Sequence, residues 1–423
     1  MTETLSILES ARLQIKKACE LLDLDEGSYQ ILKDPLRVIE TSLPVKMDDG
    51  STKVFKAYRS SHNWALGPSK GGVRFHENVN LDEVKALSMW MSLKAGLLNL
   101  PYGGGKGGVC VNPKVLSDRE IENLSRAYVR SMHKYLGERI DVPAPDVNTS
   151  GKVMAYFLDE YEKLNGDRQD IGTFTGKPLI LGGSQGRNEA TGFGVVVNTI
   201  YACQKLGLDL KDAKIGLQGF GNVGSFTFKY LTDAGAKIQY LSIHDSTSPN
   251  GQSALYNEEG FSYEGLRDYY ESHRTLVGFP DAVKISDQEF WSEKFDILIP
   301  AAIENAITEK IAQKLQVKLI VEAANGPITP EADKILRDKC VLIIPDVLAN
   351  SGGVLVSYYE WVQNQYGYYW DIKEVQEKQE KDMLKAIDKV FETAEKYKVS
   401  IRDGAYMVAI KRIDEAMKLR GWY

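Results

Sequence analysis

Hydrophobic residues recur at three- and four-residue intervals in several stretches of the first half of the chain, which is typical of helices. One of these stretches opens with Ser117 and Glu120, the spacing of a helix-capping box. Short runs of β-prone residues separate the helical stretches and predict strands. The predicted helices cover 5–22, 82–98 and 117–136, and the predicted strands cover 38–44 and 53–60.

The pattern changes near residue 213, where short apolar runs begin to alternate with helical segments. Such alternation predicts a parallel, doubly wound sheet with helices on both faces. The predicted strands are 214–218, 237–243, 297–300, 319–321 and 341–344, with a helix at 221–234. Two further helical stretches, 371–398 and 405–419, close the chain.

These patterns predict an α/β protein of two domains. Residues 1–190 are expected to form an α/β substrate-binding and oligomerisation domain. Residues 191–364 are expected to form a Rossmann-type dinucleotide-binding domain, and helices in about 365–423 to pack back on the first domain.

Composition narrows the function classes. The chain has 423 residues, 43% of them hydrophobic, and a formal net charge of −6, which argues against nucleic acid as a partner. No apolar run reaches the length of a membrane span, and residues 1–5 lack the apolar core of a signal peptide. The four cysteines are widely spaced and form no zinc or redox motif, so we expect free thiols, no metal and a cytoplasmic protein.

A Gly-x-Gly-x-x-Gly sequence follows the predicted strand 214–218. It consists of Gly219, Gly221 and Gly224, with Asn222 and Val223 opening the next helix. Glycines at this spacing allow a tight turn and bring backbone N–H groups close to a pyrophosphate at a helix N-terminus. The sequence therefore predicts a dinucleotide site at these five residues.

Asp245 follows the next predicted strand, where an acid can accept hydrogen bonds from the adenosine ribose. A plain turn-forming role for Asp245 remains the alternative. A carboxylate repels a 2′-phosphate, and 246–252 contains no Arg or Lys, which favours NAD while NADP stays open.

The segment Pro101–Gly108 places Lys106 among five glycines, and it is not a P-loop because Leu100 and Gly107 occupy two required positions. A lysine shielded there can polarise a carbonyl or assist a proton transfer. Together with Lys70 and Lys94, it predicts a pocket for a small substrate with several negative oxygens. An ordinary Gly-rich turn with solvated lysines is the alternative.

Asp146 follows Pro143 and Pro145, which fix the backbone before it and suit a carboxylate that must point one way. Beside a lysine it can shuttle protons to an amine. An Asx-turn or a cap for the helix after Gly151 is the competing interpretation.

Nine short motifs distributed over nearly the whole chain together resemble the glutamate/leucine/phenylalanine/valine dehydrogenase family. They are 67–76, 101–108, 141–149, 182–184, 188–192, 219–224, 322–327, 349–353 and 357–361. Two positions depart from the family's pattern: Gln185, where Leu or His is frequent, and Phe193, where Arg or Lys is common. Both departures bear on cofactor preference and closure, and neither touches the chemistry.

The resemblance implies NAD(P)-dependent, reversible oxidative deamination of L-glutamate to 2-oxoglutarate and ammonium by a homohexamer. It implies that Lys94 holds the α-carboxylate, that Lys106 activates the attacking water, and that Asp146 moves protons at the amino nitrogen. It further implies that Thr191 and Asn325 hold the nicotinamide amide.

The same resemblance assigns the side-chain carboxylate to Lys70 and Ser357. Relatives that act on leucine, valine or phenylalanine carry an apolar residue in place of Lys70, because a buried ammonium is costly beside an apolar side chain. Three alternatives stay open: a snorkelling surface role for Lys70, a dehydrogenase for another amino acid, and a catalytically silent regulatory protein on the same scaffold.

Overall fold

The computed structural model describes residues 6–423 and divides into two compact units. The first contains the described residues up to Arg187 together with Val354–Val375 and Lys389–Tyr423, and the second contains Asn188–Gly353 and Gln376–Asp388. Leu5, the first position of the predicted N-terminal helix, lies outside the described residues. Within 6–423, no helix combines the length and apolar character that a membrane crossing requires.

The N-terminal part of the first unit contains five helices and one five-stranded sheet. The helices are α1 Ile7–Leu21, α2 Glu26–Leu32, α3 Leu81–Leu97, α4 Asp118–Met132 and α5 Gly151–Leu164. The strands are β1 Arg37–Lys46, β2 Thr52–Ser61, β3 Ser69–Phe75, β4 Gly103–Val109 and β5 Asp141–Pro145. The sheet order is β1-β2-β4-β3-β5, antiparallel at the β1–β2 and β2–β4 pairs and parallel at the β4–β3 and β3–β5 pairs.

The Gly-rich segment is a central strand, β4, and not the Gly-rich turn that was the alternative interpretation. Glycine is needed there because other chain segments lie against the backbone. A Cβ at Gly103 would lie 1.8 Å from the carbonyl oxygen of Asn63, and one at Gly104 would lie 2.1 Å from that of Ser88. The glycines therefore permit close packing, and they hold Lys106 on a rigid strand.

Helices cover both faces of this sheet. The Gly104 face lies against α3, whose Ser92 hydroxyl accepts a hydrogen bond from the Gly104 N–H at 2.9 Å. The opposite face packs on α4 and α5 through a hydrophobic core that includes Val73, Tyr128 and Phe157. The capping box at Ser117 and Glu120 starts α4 as the sequence predicts.

The second unit is built on a seven-stranded sheet. Its elements are α6 Ala190–Leu206, β6 Ile215–Gln218, α7 Asn222–Asp233, β7 Ile238–His244, β8 Gln252–Tyr256, α8 Tyr263–His273, β9 Val283–Ser286, α9 Asp287–Ser292, β10 Lys294–Pro300, α10 Glu309–Lys314, β11 Gln316–Val321, α11 Pro330–Asp338, β12 Leu342–Ile344 and α12 Asp346–Ala349. The order is β12-β11-β10-β6-β7-β8-β9, parallel from β12 to β7 and antiparallel for β8 and β9. The strand order reverses beside β6, where doubly wound sheets bind ligands at the carboxyl ends of their strands.

Three C-terminal helices complete the chain: α13 Gly352–Tyr366, α14 Ile372–Tyr397 and α15 Ile401–Leu419. The first unit takes in most of α13, although the prediction placed residues up to 364 with the cofactor domain. The reason is packing, because the rings of Tyr358 and Trp361 lie edge-on to Tyr102, each 5.8 Å between centroids. Residues 376–388 of α14 belong to the second unit, where Gln379 donates a hydrogen bond to the Ala190 carbonyl at 2.6 Å.

Candidate active site

The register of β3 and β4 places Lys70 and Lys106 on one face of the first sheet. Lys70 is paired with Gly104, two residues before Lys106, and side chains alternate between faces along a strand. Two residues along a strand and one strand across correspond to about 6.6 Å and 4.8 Å, so the two Cα atoms lie about 8 Å apart. Two lysines at this spacing can serve two ends of one small anion.

Asp146 lies beside Lys106 because Gly72 leaves room for it. A Cβ on Gly72 would lie 2.7 Å from the Cβ of Asp146. One carboxylate oxygen of Asp146, Oδ2, accepts a hydrogen bond from Lys106 Nζ, and the other, Oδ1, accepts one from Arg74 Nε at 2.8 Å. The carboxylate therefore faces two cations, and the N-cap of α5 is Ser150 and not Asp146.

The environment keeps Asp146 ionised. Burial by itself raises the pKa of this carboxyl, but the charges of Lys106 and Arg74 outweigh burial and hold the pKa well below its ordinary value. Lys106 is 6% exposed, so this ion pair is largely shielded from water. Such a lysine–carboxylate pair can pass protons to and from a bound amine or water.

Lys70 is 1% exposed, which excludes a side chain that reaches out to solvent. Burial lowers its pKa well below the ordinary lysine value, and the neighbouring Arg187 lowers it further, against the attraction of Glu360. Among residues 6–423, no carboxylate forms an ion pair with the Lys70 ammonium. Burial therefore disfavours the charged form of Lys70, and an anion from outside the chain would stabilise it.

Arg187 is a further cation that the sequence interpretation did not assign a role. Its Nε donates a hydrogen bond to the hydroxyl of Ser357 at 2.9 Å, and Ser357 is 1% exposed. The two residues are separated by 170 positions in the sequence, so no local pattern could connect them. The sequence does contain one indication of a role for Arg187, which is its position between two family motifs, 182–184 and 188–192.

Positive charge exceeds negative charge around Lys70. Glu360 accepts a hydrogen bond from Lys177 Nζ at 2.8 Å, and both side chains are fully buried, so each neutralises the other. Within the described residues, 6–423, neither Lys70 nor Arg187 forms an ion pair with a carboxylate, although Glu360 attracts both. One added carboxylate, reached by Lys70, Arg187 and the Ser357 hydroxyl, would reduce this excess.

Lys94 lies half-buried in the last turn of α3. The same helix covers the Gly104 face of the sheet, which is the face that carries Lys70 and Lys106. The structure thus brings Lys70, Lys106 and Asp146 to one face of the first sheet, and it places Lys94 on the helix that covers this face.

In the second unit, the three glycines of the Gly-x-Gly-x-x-Gly sequence meet different constraints. Gly219 has φ +93°, which favours glycine, and a Cβ on Gly224 would lie 2.1 Å from the Gly219 carbonyl oxygen. A Cβ on Gly221 would meet nothing within 4 Å, so this position faces open space. Gly221 also caps α7 without a side-chain hydrogen bond, which leaves the N–H groups of Asn222 and Val223 at an uncapped helix start. The geometry fits a pyrophosphate.

Asp245 follows β7 as predicted, and its carboxylate is already hydrogen-bonded. It accepts from the hydroxyls of Thr247 and Ser248 at 2.6 and 2.8 Å, and Lys284 Nζ lies 2.6 Å away. These bonds, that to Lys284 first, hold the pKa of Asp245 far below its ordinary value. A ribose hydroxyl would have to exchange with one of them. The sequence has no Arg or Lys at 246–252 near Asp245, but the fold places a cation there, Lys284 of β9.

Two other predicted cofactor residues lie at element ends of the second unit. Thr191 is in the first turn of α6, and Asn325 follows β11, where its side-chain oxygen accepts a hydrogen bond from Asn350 Nδ2 at 2.8 Å. Phe193, one of the departures from the expected pattern, packs edge-on to Tyr230 at 5.1 Å. Gln185, the other, is exposed in the first unit.

Two family comparisons cover most of the chain. Residues 182–421 match the Glutamate/Leucine/Phenylalanine/Valine dehydrogenase family, and residues 35–163 match the Glu/Leu/Phe/Val dehydrogenase dimerisation domain. The chain is 59% identical over 423 residues to an NAD-specific glutamate dehydrogenase of Peptoniphilus asaccharolyticus, with complete coverage of both chains. It is 51% identical to one of Clostridioides difficile, with 99% of each covered.

Solved structures show the same fold. A crystal structure of glutamate dehydrogenase from Peptoniphilus asaccharolyticus aligns with a TM-score of 0.90 at 56% identity, covering 99% of this chain and all of that one. A hetero-hexameric glutamate dehydrogenase from Thermus thermophilus in a Leu-bound form aligns with a TM-score of 0.91 at 34% identity, covering 100% and 99%.

Proposed function

Because the chain belongs to the glutamate/leucine/phenylalanine/valine dehydrogenase family, we propose that it is an NAD-dependent glutamate dehydrogenase. The reaction converts L-glutamate, NAD⁺ and water into 2-oxoglutarate, ammonium, NADH and a proton, and it is reversible. The observation that carries the choice of substrate is the buried Lys70 ammonium without a carboxylate partner among the described residues.

The first unit holds the substrate in this proposal. Lys70, Arg187 and Ser357 take the side-chain carboxylate, and Lys94 takes the α-carboxylate. Charge-assisted hydrogen bonds in a water-poor site are stronger than in solution, because the local dielectric is lower. A leucine or valine side chain would leave the buried Lys70 and the partly buried Arg187 without an anionic partner from the substrate, which disfavours those substrates.

Lys106 and Asp146 carry the proton transfers. Asp146 accepts a proton from the substrate ammonium, so that the nitrogen lone pair can form the C=N bond as hydride leaves Cα. Asp146 then releases this proton to solvent, which is the proton on the product side, and accepts the ammonium proton of Lys106. As the free amine, Lys106 orients the water that adds to the imine carbon and takes up its proton, and Asp146 returns its proton to the departing nitrogen. The direct contact between Lys106 and Asp146 supports proton exchange between them.

The second unit holds the cofactor. Gly219, Gly221 and Gly224, with the N–H groups of Asn222 and Val223, bind the pyrophosphate, and Asp245 binds the adenosine ribose. Thr191 and Asn325 hold the nicotinamide amide. NAD⁺, when bound, supplies the acceptor for the hydride from the substrate Cα.

A spectrophotometric assay tests the proposed function. Purified protein should oxidise NADH with ammonium and 2-oxoglutarate, and it should be at least about 100-fold slower with the keto acids of leucine and valine. Preference for a branched-chain keto acid would favour a dehydrogenase of another amino acid. Absence of NADH oxidation with every keto acid would favour a silent regulatory protein.

Binding of the dicarboxylate should depend on pH through Lys70. The lowered pKa means that the free pocket holds its proton weakly, whereas a bound carboxylate stabilises the ammonium. Affinity for 2-oxoglutarate should therefore fall as pH rises, with proton uptake on binding. Calorimetry in buffers of different ionisation heat measures that uptake, and a pH-independent affinity without it contradicts the assignment.

Changing Asp245 to alanine should weaken NAD⁺ binding about tenfold, the effect of one or two lost hydrogen bonds. It should also free the Lys284 ammonium, which is then available to a 2′-phosphate, so the KM for NADP⁺ should fall. Steady-state kinetics with both cofactors measures the two effects. The control is the double variant Asp245→Ala, Lys284→Met, in which the KM for NADP⁺ should not fall. An unchanged KM for NAD⁺ in Asp245→Ala would count against the ribose role of Asp245.

We also propose a homohexamer in the cytoplasm. The aligned Thermus thermophilus enzyme is hexameric, and the four free cysteines are compatible with a reducing compartment. Light scattering should give six times the chain mass of 47.3 kDa, and a monomer or dimer mass would contradict the hexamer.

A further inference from the structure

Arg74 lies at the end of β3 with its guanidinium between two acids. Its Nε donates to Asp146 Oδ1 at 2.8 Å, and its Nη1 donates to the carboxylate of Glu83 in the first turn of α3. The Arg74 side chain is 22% exposed, so these bonds are partly shielded from water. No step of the proposed reaction uses Arg74 directly.

The carboxylate of Asp146 is divided between two donors. Arg74 occupies Oδ1, Lys106 contacts Oδ2, and the Asp146 N–H donates to the Thr149 hydroxyl at 2.8 Å. These bonds fix the backbone of Asp146 and its Oδ1 atom. The remaining carboxylate oxygen, Oδ2, therefore faces the reacting groups. Without Arg74 the carboxylate could rotate and offer both oxygens to Lys106.

We propose that Arg74 is a positioning residue that holds Asp146 Oδ1 so that Oδ2 faces Lys106 and the substrate amino nitrogen. The proposal rests on the glutamate dehydrogenase function proposed above. Arg74 also contributes a positive charge, which acts together with Lys106 to keep Asp146 ionised. The charged groups that face Asp146 are therefore Arg74 on β3 and Lys106 on β4, with Glu83 on α3 facing Arg74.

An arginine suits this place better than a lysine. Its planar guanidinium can donate to two acids from fixed directions, whereas an ammonium is a single point charge. Glu83 holds the guanidinium through Nη1, a different nitrogen from the one that contacts Asp146, and the Glu83 N–H donates to the side chain of its N-cap residue Asn80 at 3.0 Å. The first turn of α3 thereby sets the direction of the catalytic carboxylate.

The test compares Arg74→Gln and Arg74→Lys with the wild type. In Arg74→Gln we expect kcat to fall about 10- to 100-fold, since a small misplacement of a catalytic group has effects of this size. In a plot of kcat against pH, the fall in kcat on the acid side should shift to higher pH by about 1 to 3 units. The reason is that Asp146 loses one of its two neighbouring cations, which raises its pKa. Arg74→Lys should restore the acid limb but only part of kcat, and KM for 2-oxoglutarate should change less than threefold in both.

Arg126→Gln is the matched control. Arg126 lies on α4, is 19% exposed and also pairs with two acids on the neighbouring helix, Asp159 and Glu160. This variant should lower Tm without changing the kcat profile. A wild-type kcat profile in Arg74→Gln, or an effect on KM alone, would overturn the proposal.

A second measurement does not need turnover. Asp146 has a depressed pKa, so its ionic contribution to stability is present above about pH 4 and is lost as pH falls further. The Tm difference between wild type and Arg74→Gln should narrow towards acid pH, and it should be at least halved in an Asp146→Asn background. Equal Tm differences in both backgrounds would contradict coupling. If Arg74→Gln does not fold, the same coupling is tested by the Tm difference between wild type and Arg74→Lys, measured with Asp146 present and in the Asp146→Asn background.

Failure of this inference is distinguishable from failure of the proposed function. Wild-type protein that lacks glutamate activity contradicts the function, while the Tm comparison still reports whether Arg74 and Asp146 are coupled. Wild-type protein with glutamate activity and a normal Arg74→Gln profile contradicts only the role of Arg74.

Discussion

Replacing Lys70 by leucine is expected to lower kcat/KM for L-glutamate about 10³-fold, because a buried carboxylate would lose its principal cation. The ammonium is 1% exposed, so water cannot take its place without opening the pocket. For L-norleucine the same change should leave kcat/KM unchanged or raise it, since an apolar side chain then meets an apolar wall. Steady-state kinetics with both amino acids and NAD⁺ measures the switch.

Lys56→Leu is the control for this experiment. Lys56 lies on β2 of the same sheet and pairs with Glu40, but its side chain is 61% exposed. An exposed ion pair contributes little, so both kcat/KM values should stay within about twofold of wild type. Equal losses on glutamate and norleucine in Lys70→Leu would show a structural role for Lys70 and contradict the assigned one.

Replacing Asp146 by asparagine is expected to lower kcat about 10²- to 10⁴-fold, the usual effect of losing a general acid–base group. The amide has nearly the same shape, so the contacts with Arg74 and Lys106 change in charge more than in size. Because Asp146 does not hold a substrate carboxylate, the dissociation constant of 2-oxoglutarate should change only a few-fold. Single-turnover rates and equilibrium binding measure the two quantities separately.

Asp159→Asn provides the comparison. Asp159 also accepts hydrogen bonds from an arginine and a lysine, Arg126 and Lys163, and its pKa is likewise lowered. It lies on α5, outside the proposed site, and its loss should leave kcat near the wild-type value. A variant Asp146→Asn that keeps more than a tenth of wild-type kcat would exclude the proton-transfer role.

Much of the fold follows from local pattern. Helix α3 is predicted at 82–98 and observed at Leu81–Leu97, and the strand before Gly219 is predicted at 214–218 and observed at Ile215–Gln218. Each of these two elements has either an apolar periodicity or clear boundary residues. These are local features that depend only on residues close together in the sequence. Local rules suffice where local interactions decide the structure.

The central strand β4 could not be predicted in this way. Its residues Gly103–Gly108 have no alternating pattern and low β-propensity, and the reason for glycine is contact with distant backbone. A Cβ at Gly107, for example, would lie 2.3 Å from the Tyr128 hydroxyl. The sequence shows the glycines, and only the packed structure shows what they make room for.

The pairings that complete the site are equally non-local. Arg187 meets Ser357 and Lys284 meets Asp245 only after the chain has folded. Sequence motifs suggested most of the individual residues of the proposed site, because the resemblance covers them one by one. The charge balance around Lys70, which favours a dicarboxylate, required the positions of cations and acids together.

The central claim is that a buried cationic pocket recognises the second carboxylate of the substrate. Glutarate and pentanoate differ only in that carboxylate, so their inhibition constants against 2-oxoglutarate in the wild-type protein measure its contribution directly. The structure predicts that glutarate binds at least about 100-fold more tightly, as expected for a charged group that fills a complementary buried site. Equal inhibition by glutarate and pentanoate would contradict the claim.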